Sequence, residues 1–428
     1  DSDLHALRPI HIAGTKGKGS TCAFTECFLR THGTRTGYPQ KTGLYTSPHL
    51  IDPEERIRIN FKPLSRVLFA EYFFEVYDRL PQLAHKYDSS KSAIERGPRY
   101  LQLWALLAFH VFIREAVDVA ILETHAGGEY DATNVIPQPV VTAITALSLD
   151  HIAMLGPTIR DIAWHKAGIY KAGSAALSAI QDPEPTAVLV ARAREKSQTV
   201  KFINNEPTLP IHPNLDPAVQ SQNASLAVAI ANTFLSRTGP SESNYLNQQD
   251  LQVGVETWSW PGRFQIIPRG HQTWFLDSAH NPVSISLAAR WFRAASQRLQ
   301  MSGNSLSHIV IFSHVNKLRD AAALLEKLAS ELRDCQANVQ HVIFTTYAAS
   351  ERSGPGPADA FAAFREKWTA IMPGTRTWSE ADIPQAIARA EQLGSRTHNA
   401  HILVTGSQHL VGPALQVLIS GGSSHESM

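Results

Sequence analysis

The stretch "HIAGTKGKGST", residues 11–21, combines a predicted strand end, a glycine loop and a helix start, one directly after another. Apolar residues before Gly14 predict a short strand. The positions of Phe24 and Phe28 then predict a helix with one apolar face, and Gly33 predicts its stop. Glycines let a backbone turn sharply and approach a ligand closely. With lysine and hydroxyl groups at the helix start, the stretch predicts a phosphate-binding loop.

The loop itself supplies the candidate phosphate ligands. Lys18 would meet the outer phosphates, Ser20 or Thr21 would cap the following helix, and backbone N–H groups would surround the phosphate chain. The candidate residues are Gly14, Thr15, Gly17, Lys18, Gly19, Ser20 and Thr21. The spacing is shorter than in G-x-x-x-x-G-K-[ST], so a glycine-rich turn with solvated lysines is the alternative interpretation.

The composition of the 428-residue chain is that of a soluble globular protein, with 43% hydrophobic and 18% charged residues. The length favours two domains. A net charge of +1 predicts neither nucleic acid nor an acidic membrane surface as a partner. Three cysteines without paired spacing indicate a reducing compartment. No apolar run approaches the roughly 20 residues of a membrane span.

Short aliphatic segments alternate with helical patterns, which is typical of α/β proteins with mostly parallel sheets. The predicted strands are 9–13, 117–123, 140–147, 273–277, 308–313, 341–346 and 401–405. The predicted helices are 20–31, 101–114, 158–168, 222–236, 284–299, 320–333 and 383–392. Polar stretches predict loops at 81–99, 204–221, 236–249 and 349–358, and a frayed tail at 420–428.

A domain junction is predicted at the Pro-Gly turn of "WSWPGRFQIIPRG", residues 258–270, because a new α/β series follows it. Residues 1–266 would form a P-loop-type ATPase domain with a parallel sheet. Residues 269–428 would form a smaller, Rossmann-like α/β domain.

Polar residues follow four of the predicted strands, and open α/β sheets bind ligands beyond the carboxyl ends of their strands. The first strand runs into the glycine loop, and later strands lead to Glu123, to His151, and to Asp277 with His280. Four such endings predict an active site. Glu123 alone is either a solvated strand end or a metal ligand facing the phosphates, and His151 alone is either a packed or surface residue or a ligand.

Lys166 belongs to the predicted helix in "GPTIRDIAWHKAGIYK", residues 156–171, for which Thr158 is the expected N-cap. It falls on the same helix face as Ile162 and Ala163. An inward lysine must find an anion or change its chemistry, because an isolated buried ammonium group is very costly. The alternative is a lysine that reaches past the apolar face to solvent.

Ten collinear motifs resemble those of folylpolyglutamate synthases, relatives of the Mur ligases, and the resemblance is strongest to the eukaryotic, fungal-looking branch. The motifs cover residues 9 to 413: "HIAGTKGKGSTCAFTECFLRTHG", "KTGLYTSPHL", "ERIRIN", "GGEYDATNVI", "DHIAMLG", "HKAGIYK", "QNASLA", "WPGRFQ", "LDSAHNP" and "VTGSQHLVG". This resemblance implies an ATP-dependent ligase of one-carbon metabolism. Such an enzyme forms an acyl phosphate from a carboxylate, which an amine then attacks.

The resemblance also implies roles for matching residues. Lys18 would bind the β and γ phosphates, and Ser47 and Glu123 would hold one magnesium ion. His151 and Lys166 would serve a second ion, with a carbamate on Lys166 that turns an inward cation into an anionic oxygen ligand. The nucleotide would also be contacted from the domain junction and the second domain, by Asn223, Arg263, Asp277 and His280. The implied catalytic residues are Lys18, Lys166 and His280.

The implied cofactors are ATP and two Mg²⁺ ions, with a monovalent cation beside them. The implied substrates are a folate, which accepts the amino acid on its γ-carboxylate, and L-glutamate. The implied protein is a monomer without nucleic-acid or membrane partners, located in the cytoplasm and also in mitochondria.

The chain departs from the family pattern beside the glycine pair, where Thr124-His125-Ala126 replaces a hydrophobic-glycine lead. Segment 35–40 resembles an insertion, and the sequence of the loop 312–320 differs from the one usual in the family. These positions could line the acceptor pocket, and none of the departures removes a phosphate or metal group. One alternative is a paralogous ligase that couples an amino acid to a non-folate acid in specialised metabolism. Another is a P-loop NTPase switch without ligase activity.

Overall fold

The computed structural model describes residues 2–81, 97–240, 245–300, 306–314, 320–347, 357–397 and 399–420. The chain divides into two compact units, Asp1–Ser259 (unit 1) and Trp260–Met428 (unit 2). The sequence-predicted limits, 266 and 269, both fall within a strand of unit 2, Gln265–Arg269. In the described part of the chain, no helix combines the length and apolar character that crossing a membrane requires.

Unit 1 contains a twisted sheet whose centre is made of parallel strands. Its strands are β1 (Ile10–Ala13), β2 (Thr42–Tyr45), β3 (Ile57–Ile59), β4 (Lys62–Pro63), β5 (Val119–Glu123), β6 (Val141–Ile144), β7 (Ala175–Ala179) and β8 (Val200–Ile203). Their order is β4-β3-β2-β5-β1-β6-β7-β8. The six strands β2, β5, β1, β6, β7 and β8 are parallel to one another. Strand β3 is antiparallel to β2, and β4 is antiparallel to β3. The carboxyl ends of β2, β5, β1 and β6 therefore lie side by side.

The helices of unit 1 pack around this sheet. They are α1 (Ser2–Ala6), α2 (Lys18–Thr36), α3 (Arg66–Tyr77), α4 (Tyr100–Arg114), α5 (Ile152–Leu155), α6 (Ile159–Ala167), α7 (Pro183–Glu195), α8 (Ala218–Thr238) and α9 (Gln248–Thr257), with 3₁₀ turns at Pro53–Arg56 and Pro213–Leu215. The predicted loops 204–221 and 236–249 are too long, because α8 begins inside the first and ends inside the second, where α9 also begins. Polar residues at the start of α8 hid its first turn, yet Gln220 there is buried.

Helix α2 keeps the predicted apolar face but not the predicted end. Phe24 and Phe28 are buried, and the helix passes through Gly33 to end at Gly37, which has φ +87°. Position 33 requires glycine, because a Cβ atom there would lie 1.8 Å from the carbonyl oxygen of Pro39. The predicted stop was therefore wrong, since this glycine serves a close backbone contact.

Unit 2 holds a second sheet with the strands β9 (Gln265–Arg269), β10 (Gln272–Asp277), β11 (Ser307–Phe312), β12 (Val339–Thr345), β13 (Arg376–Glu380) and β14 (Ala400–Thr405). The order is β13-β12-β11-β14-β10-β9, parallel except for the β9–β10 pair. Its helices are α10 (Pro282–Leu299), α11 (Ala321–Asp334), α12 (Pro357–Ile371), α13 (Ile383–Gly394) and α14 (Gln408–Ser420).

The core of unit 2 is formed by α10 and α11 against the sheet. Phe275, Phe292, Leu325 and Phe344 are all fully buried in it. The predicted α/β class, with a parallel-rich sheet in each of two units, is confirmed. Most of the predicted loops 81–99 and 349–358 and of the tail 420–428 lies outside the described residues.

Candidate functional site

The glycine loop after β1 is closely packed. Gly14 has φ +150° and Gly17 has φ +83°. A Cβ at Gly14 would lie 1.8 Å from Oγ1 of Thr145, and one at Gly17 would lie 2.2 Å from Oδ1 of Asn223. Both positions therefore require glycine, for backbone conformation and for space.

Helix α2 begins directly at Lys18, with Gly17 as its N-cap. The predicted capping role of Ser20 or Thr21 is therefore wrong, and both residues lie in the first turn. The N–H of Thr21 donates to the carbonyl of Gly17 at 2.8 Å, the first intrahelical bond. The preceding N–H groups of a helix have no intrahelical acceptor, so this end of α2 suits an anion.

The loop is anchored on the segment that follows β6. The backbone N–H groups of Thr15 and Lys16 both donate to the carbonyl of Ala146. The hydroxyl of Thr15 donates to the carbonyl of Ser148 at 3.1 Å. Nζ of Lys16 lies 3.4 Å from Oδ2 of Asp150. The loop thus holds its shape through bonds within unit 1.

Glu123 ends β5 beside the loop and is 5% exposed. Its Oε1 lies 3.8 Å from Nζ of Lys18, and its Oε2 accepts the backbone N–H of Ser47 at 3.0 Å. The structure thus brings together a lysine, a carboxylate and a hydroxyl-bearing residue that the sequence predicted for one site. They come from α2, β5 and the loop after β2.

Lys166 points inward, as its helical position predicts. It is 2% exposed and shares the buried face of α6 with Ile162 and Ala163, after the predicted N-cap Thr158. Its Nζ donates to the carbonyl of Gly14 at 2.7 Å. Burial, followed by the nearby charge of Lys18, lowers the pKa of Lys166 to about 7. The amine is therefore far easier to deprotonate than an exposed lysine.

Asn223 and His151 occupy different surroundings. Asn223 lies on α8 in unit 1, beside Gly17, and its Oδ1 accepts the hydroxyl of Thr21 at 3.5 Å. It therefore does not belong to the junction or the second domain, with which it was grouped. His151 is exposed, has φ +52° and precedes α5.

The loop 124–133 contains a buried polar network that the sequence did not reveal. Nε2 of His125 lies 2.6 Å from the hydroxyl oxygen of Tyr45, and its Nδ1 lies 3.2 Å from Oδ1 of Asp131. Oδ2 of Asp131 accepts the N–H groups of His125 and Ala126, each at 2.9 Å. Burial opposes ionisation of Asp131, but bonds from His125 and Thr133 outweigh it and hold its pKa below the usual range. The sequence offered the departure at Thr124-His125-Ala126 and the aspartate within "GGEYDATNVI", but no signal that joined them to Tyr45.

A cleft of about 270 Å³ lies beside α6. It is lined by Met154, Leu155, Gly156, Pro157, Asp161, Trp164 and His165. Met154 is 66% exposed, Trp164 is 36% exposed, and the two rings of Trp164 and His165 meet edge to face. An open cleft with aromatic walls suits a flat ring.

The candidate residues of unit 2 lie at the end of β10. Asp277 is 4% exposed, and its Oδ2 accepts the N–H of Phe264 at 3.0 Å. Burial raises its pKa to about 6, although the charge of Arg263 opposes that shift. His280 lies between β10 and α10, and its Nδ1 is 2.9 Å from the carbonyl oxygen of Ser278. Asp277, His280 and Arg263 therefore surround one strand end.

Neighbouring strands of unit 2 add buried hydroxyl groups to this edge. Thr405 pairs in register with Asp277 on one side and with Phe312 on the other, and Ser313 follows Phe312. The hydroxyl oxygens of Ser313 and Thr405 are buried without a hydrogen-bond partner among the described residues. Buried polar groups of this kind are uncommon in proteins.

The second unit matches the family of the Mur ligase, glutamate ligase domain, over residues 262–408. Over the whole chain, similarity extends to named enzymes. The sequence is 39% identical to folylpolyglutamate synthase of Neurospora crassa, covering 97% of this chain and 82% of the fungal protein. It is 37% identical to the probable folylpolyglutamate synthase of Schizosaccharomyces pombe, covering 97% and 85%.

Solved structures share the fold. Folylpolyglutamate synthase of Mycobacterium tuberculosis complexed with ADP has a TM-score of 0.76 at 24% identity, covering 97% of this chain and 91% of its own. Escherichia coli FolC in complex with DHPP and ADP has a TM-score of 0.73 at 23% identity, covering 98% and 92%. At these identities the likeness concerns the architecture.

Proposed function

This chain belongs to the folylpolyglutamate synthase family, and from that premise we propose that it joins L-glutamate to the γ-carboxylate of a folate at the expense of ATP. It is an ATP-dependent ligase. We propose further that it acts as a monomer, in the cytoplasm and also in mitochondria. The single observation that carries the proposal is the meeting of Lys18, Glu123 and Ser47 beside the glycine loop.

This arrangement suits a nucleoside triphosphate. The first turn of α2 presents backbone N–H groups, and Lys18 adds a charge for the outer phosphates. Thr15, Lys16 and their partners fix the shape of the loop through hydrogen bonds of the chain itself. Preformed donors aimed at developing charge are the principal means of catalysing phosphoryl transfer.

The residues at the strand ends also fit magnesium. Within the described ranges no group of three or more His, Cys, Asp or Glu side chains is arranged as a complete metal site. Mg²⁺ commonly takes one or two protein carboxylates, with phosphate and water oxygens completing its shell. Glu123 and Ser47 would hold it, and it would offset negative charge on the transferring phosphoryl group. His151 and Lys166 are the proposed residues for a second ion.

We propose a carbamate on Lys166. The side chain is buried, and the charge of Lys18 lowers its pKa by more than either Asp150 or Asp131 raises it. In carbamate formation the neutral amine attacks carbon dioxide, a N–C bond forms and one proton leaves. The product is an anion with two oxygens in place of a costly buried cation.

The carboxylate of the acceptor would attack the γ phosphate of ATP, giving an acyl phosphate and ADP. The amine of glutamate would then attack the acyl carbon, forming the amide and releasing phosphate. Lys18 would offset charge during the first step. The cleft with Trp164 is the proposed site of the acceptor's flat ring, and Asp277, His280 and Arg263 are the proposed further nucleotide contacts.

The test combines phosphate release and product mass across a matrix of carboxylates and amino acids. ATP, magnesium, glutamate and tetrahydrofolate together should release phosphate and yield a product heavier by one glutamyl unit. Lys62→Ala is the matched control for Lys18→Ala, because Lys62 is an exposed lysine of the same unit.

Three outcomes are distinguishable. Product from folate supports the proposal. If an amide product forms with another acid but with no folate, the folate assignment fails and the ligase activity stands. Nucleotide hydrolysis that needs neither acid nor amino acid would indicate a switch instead.

A further inference from the structure

The buried network around His125 joins the loops that carry the candidate magnesium ligands. Strands β2 and β5 are neighbours, with Tyr45 paired in register with Leu122. Ser47 lies two residues beyond Tyr45, and His125 lies two residues beyond Glu123. The contact between Tyr45 and His125 therefore connects the two strands just where each passes into its loop.

The geometry leaves little freedom at this connection. Tyr45 is fully buried, and the side chains of His125 and Asp131 are 4% and 2% exposed. The rings of Tyr45 and His125 meet edge to face at 84°, with the hydroxyl oxygen 2.6 Å from Nε2. A carboxylate beside Nδ1 favours the tautomer with its proton there, so Nε2 accepts the Tyr45 hydroxyl.

The same loop reaches Lys166. Gly127, with φ +76°, turns the chain, and the N–H of Glu129 donates to the carbonyl of His165 at 2.7 Å. A Cβ at Gly128 would lie 2.6 Å from the carbonyl oxygen of Lys166. The loop thus packs directly on the backbone that carries Lys166. One segment therefore connects the elements that carry three of the proposed ligands, Ser47, Glu123 and Lys166.

We propose that His125 is a positioning residue, which bridges Tyr45 and Asp131 and so fixes Glu123 and Ser47 in the arrangement that holds magnesium with the nucleotide. This inference rests on the proposed function and names the residues that orient its metal ligands. Partners of this kind, which orient ligands without touching the metal, typically change metal affinity about 10- to 100-fold when altered.

The experiment measures ADP affinity of the full chain with and without magnesium, by calorimetry. Tyr45→Phe removes only the hydroxyl, and His125→Asn keeps a donor near Nδ1 for Asp131 but does not reach Tyr45. Each should reduce the gain in ADP affinity that magnesium provides by about tenfold. ADP affinity without magnesium should stay unchanged, because the glycine loop and Lys18 are intact.

Tyr170→Phe is the matched control, since Tyr170 is also buried in unit 1 and its hydroxyl donates to the carbonyl of Leu177. It should leave the magnesium-dependent gain unchanged. The double variant Tyr45→Phe/His125→Asn should lose no more than either single variant, because both remove the same contact.

A gain equal to that of the parent in both single variants would overturn the proposal, even if melting temperatures fell. So would additive losses in the double variant. If magnesium does not strengthen ADP binding to the parent, the proposal fails together with the magnesium assignment. Failure of the proposed function shows separately, as absence of a glutamylated folate from the parent.

Discussion

The carboxyl ends of the two sheets differ in how their charged groups are paired. In unit 1, Lys18 lies 3.8 Å from Glu123, and Lys16 lies 3.4 Å from Asp150. In unit 2, Asp277 is so deeply buried that its pKa rises to about 6 despite Arg263. Parallel strand ends therefore carry paired charges in unit 1 and, in unit 2, a buried carboxyl group that loses its proton at a higher pH than usual.

This difference indicates a division of work. An edge with fixed cations and a half-buried helix start suits a polyanion. The edge of unit 2 has a carboxyl group with a raised pKa, Asp277, and buried hydroxyl groups without a hydrogen-bond partner among the described residues, Ser313 and Thr405. Four experiments, in decreasing order of expected effect, can test or refine this comparison.

Lys18→Ala removes the cation of the unit 1 edge that lies at the start of α2. Ligation should fall by about 10³-fold, the scale of losing a principal charge contact to a transferring phosphoryl group. The fold should stay intact, because Lys18 is not in the core. Initial rates and circular dichroism measure both, with Lys62→Ala as control. Turnover like that of the parent would remove the loop from the mechanism.

Lys166→Ala removes the buried amine and its proposed carbamate. Activity should fall by about 10²-fold, since mutations that affect metal ligation commonly have effects of this size. Short-chain carboxylic acids should restore part of it by replacing the lost oxygens. Carbon-13 NMR under labelled carbon dioxide should show a carbamate signal in the parent and none in the variant. A parent without that signal, and a fully active variant, would contradict the assignment.

Asp277→Asn tests, through stability, the cost of ionising the buried carboxyl group of unit 2. The pKa of Asp277 is raised from 3.8 to about 6, so its contribution to stability is present at pH 4 and is lost as the pH rises through 6. Asparagine does not ionise and still accepts the N–H of Phe264. At pH 8 the variant should be more stable than the parent by about 2 to 3 kcal/mol, and at pH 4 equally stable.

Hydrogen exchange of β10 and β14, read by mass spectrometry, measures this difference within unit 2. Asp334→Asn, on the surface of the same unit, should change protection equally at both pH values. If the amides of β10 and β14 were no more protected in Asp277→Asn than in the parent at pH 8, ionised Asp277 would not destabilise unit 2.

Trp164→Ala tests whether the cleft beside α6 in unit 1 binds the flat ring of the acceptor. The KM for tetrahydrofolate should rise by about tenfold, since stacking on an aromatic ring contributes on the order of 1 kcal/mol beyond burial. The KM for ATP should change little, because Trp164 is not part of the glycine loop. Equal changes in both constants would place the acceptor elsewhere.

Sequence reasoning located the parts of unit 1 that depend on local pattern. The inward direction of Lys166 follows from helical spacing, and Glu123 follows a strongly apolar strand. Both were predicted because neighbours in the chain determine them. The end of α2 was not, since Gly33 marks a close approach of Pro39, which no local pattern encodes.

Several elements absent from the predicted set are short or begin with loop signals. Strand β2 reads "TGLY", with a glycine inside, and α7 begins with Pro183. The Tyr45–His125 contact joins residues 80 positions apart. It depends on the register between β2 and β5, which a single sequence does not reveal.

The close contact between Gly14 and Thr145 also limits which substitutions this loop can accept during evolution. Every missense change of a glycine codon adds a side chain, and here its first carbon would lie 1.8 Å from Oγ1 of Thr145. Trimming Thr145 to glycine would still leave its backbone nitrogen 3.0 Å away, and φ at Gly14 would remain +150°. Shortening Thr145 would therefore not open the position to a larger residue at Gly14. Along any lineage that keeps this loop, we expect substitutions at the glycine to be purged, whatever residue follows β6.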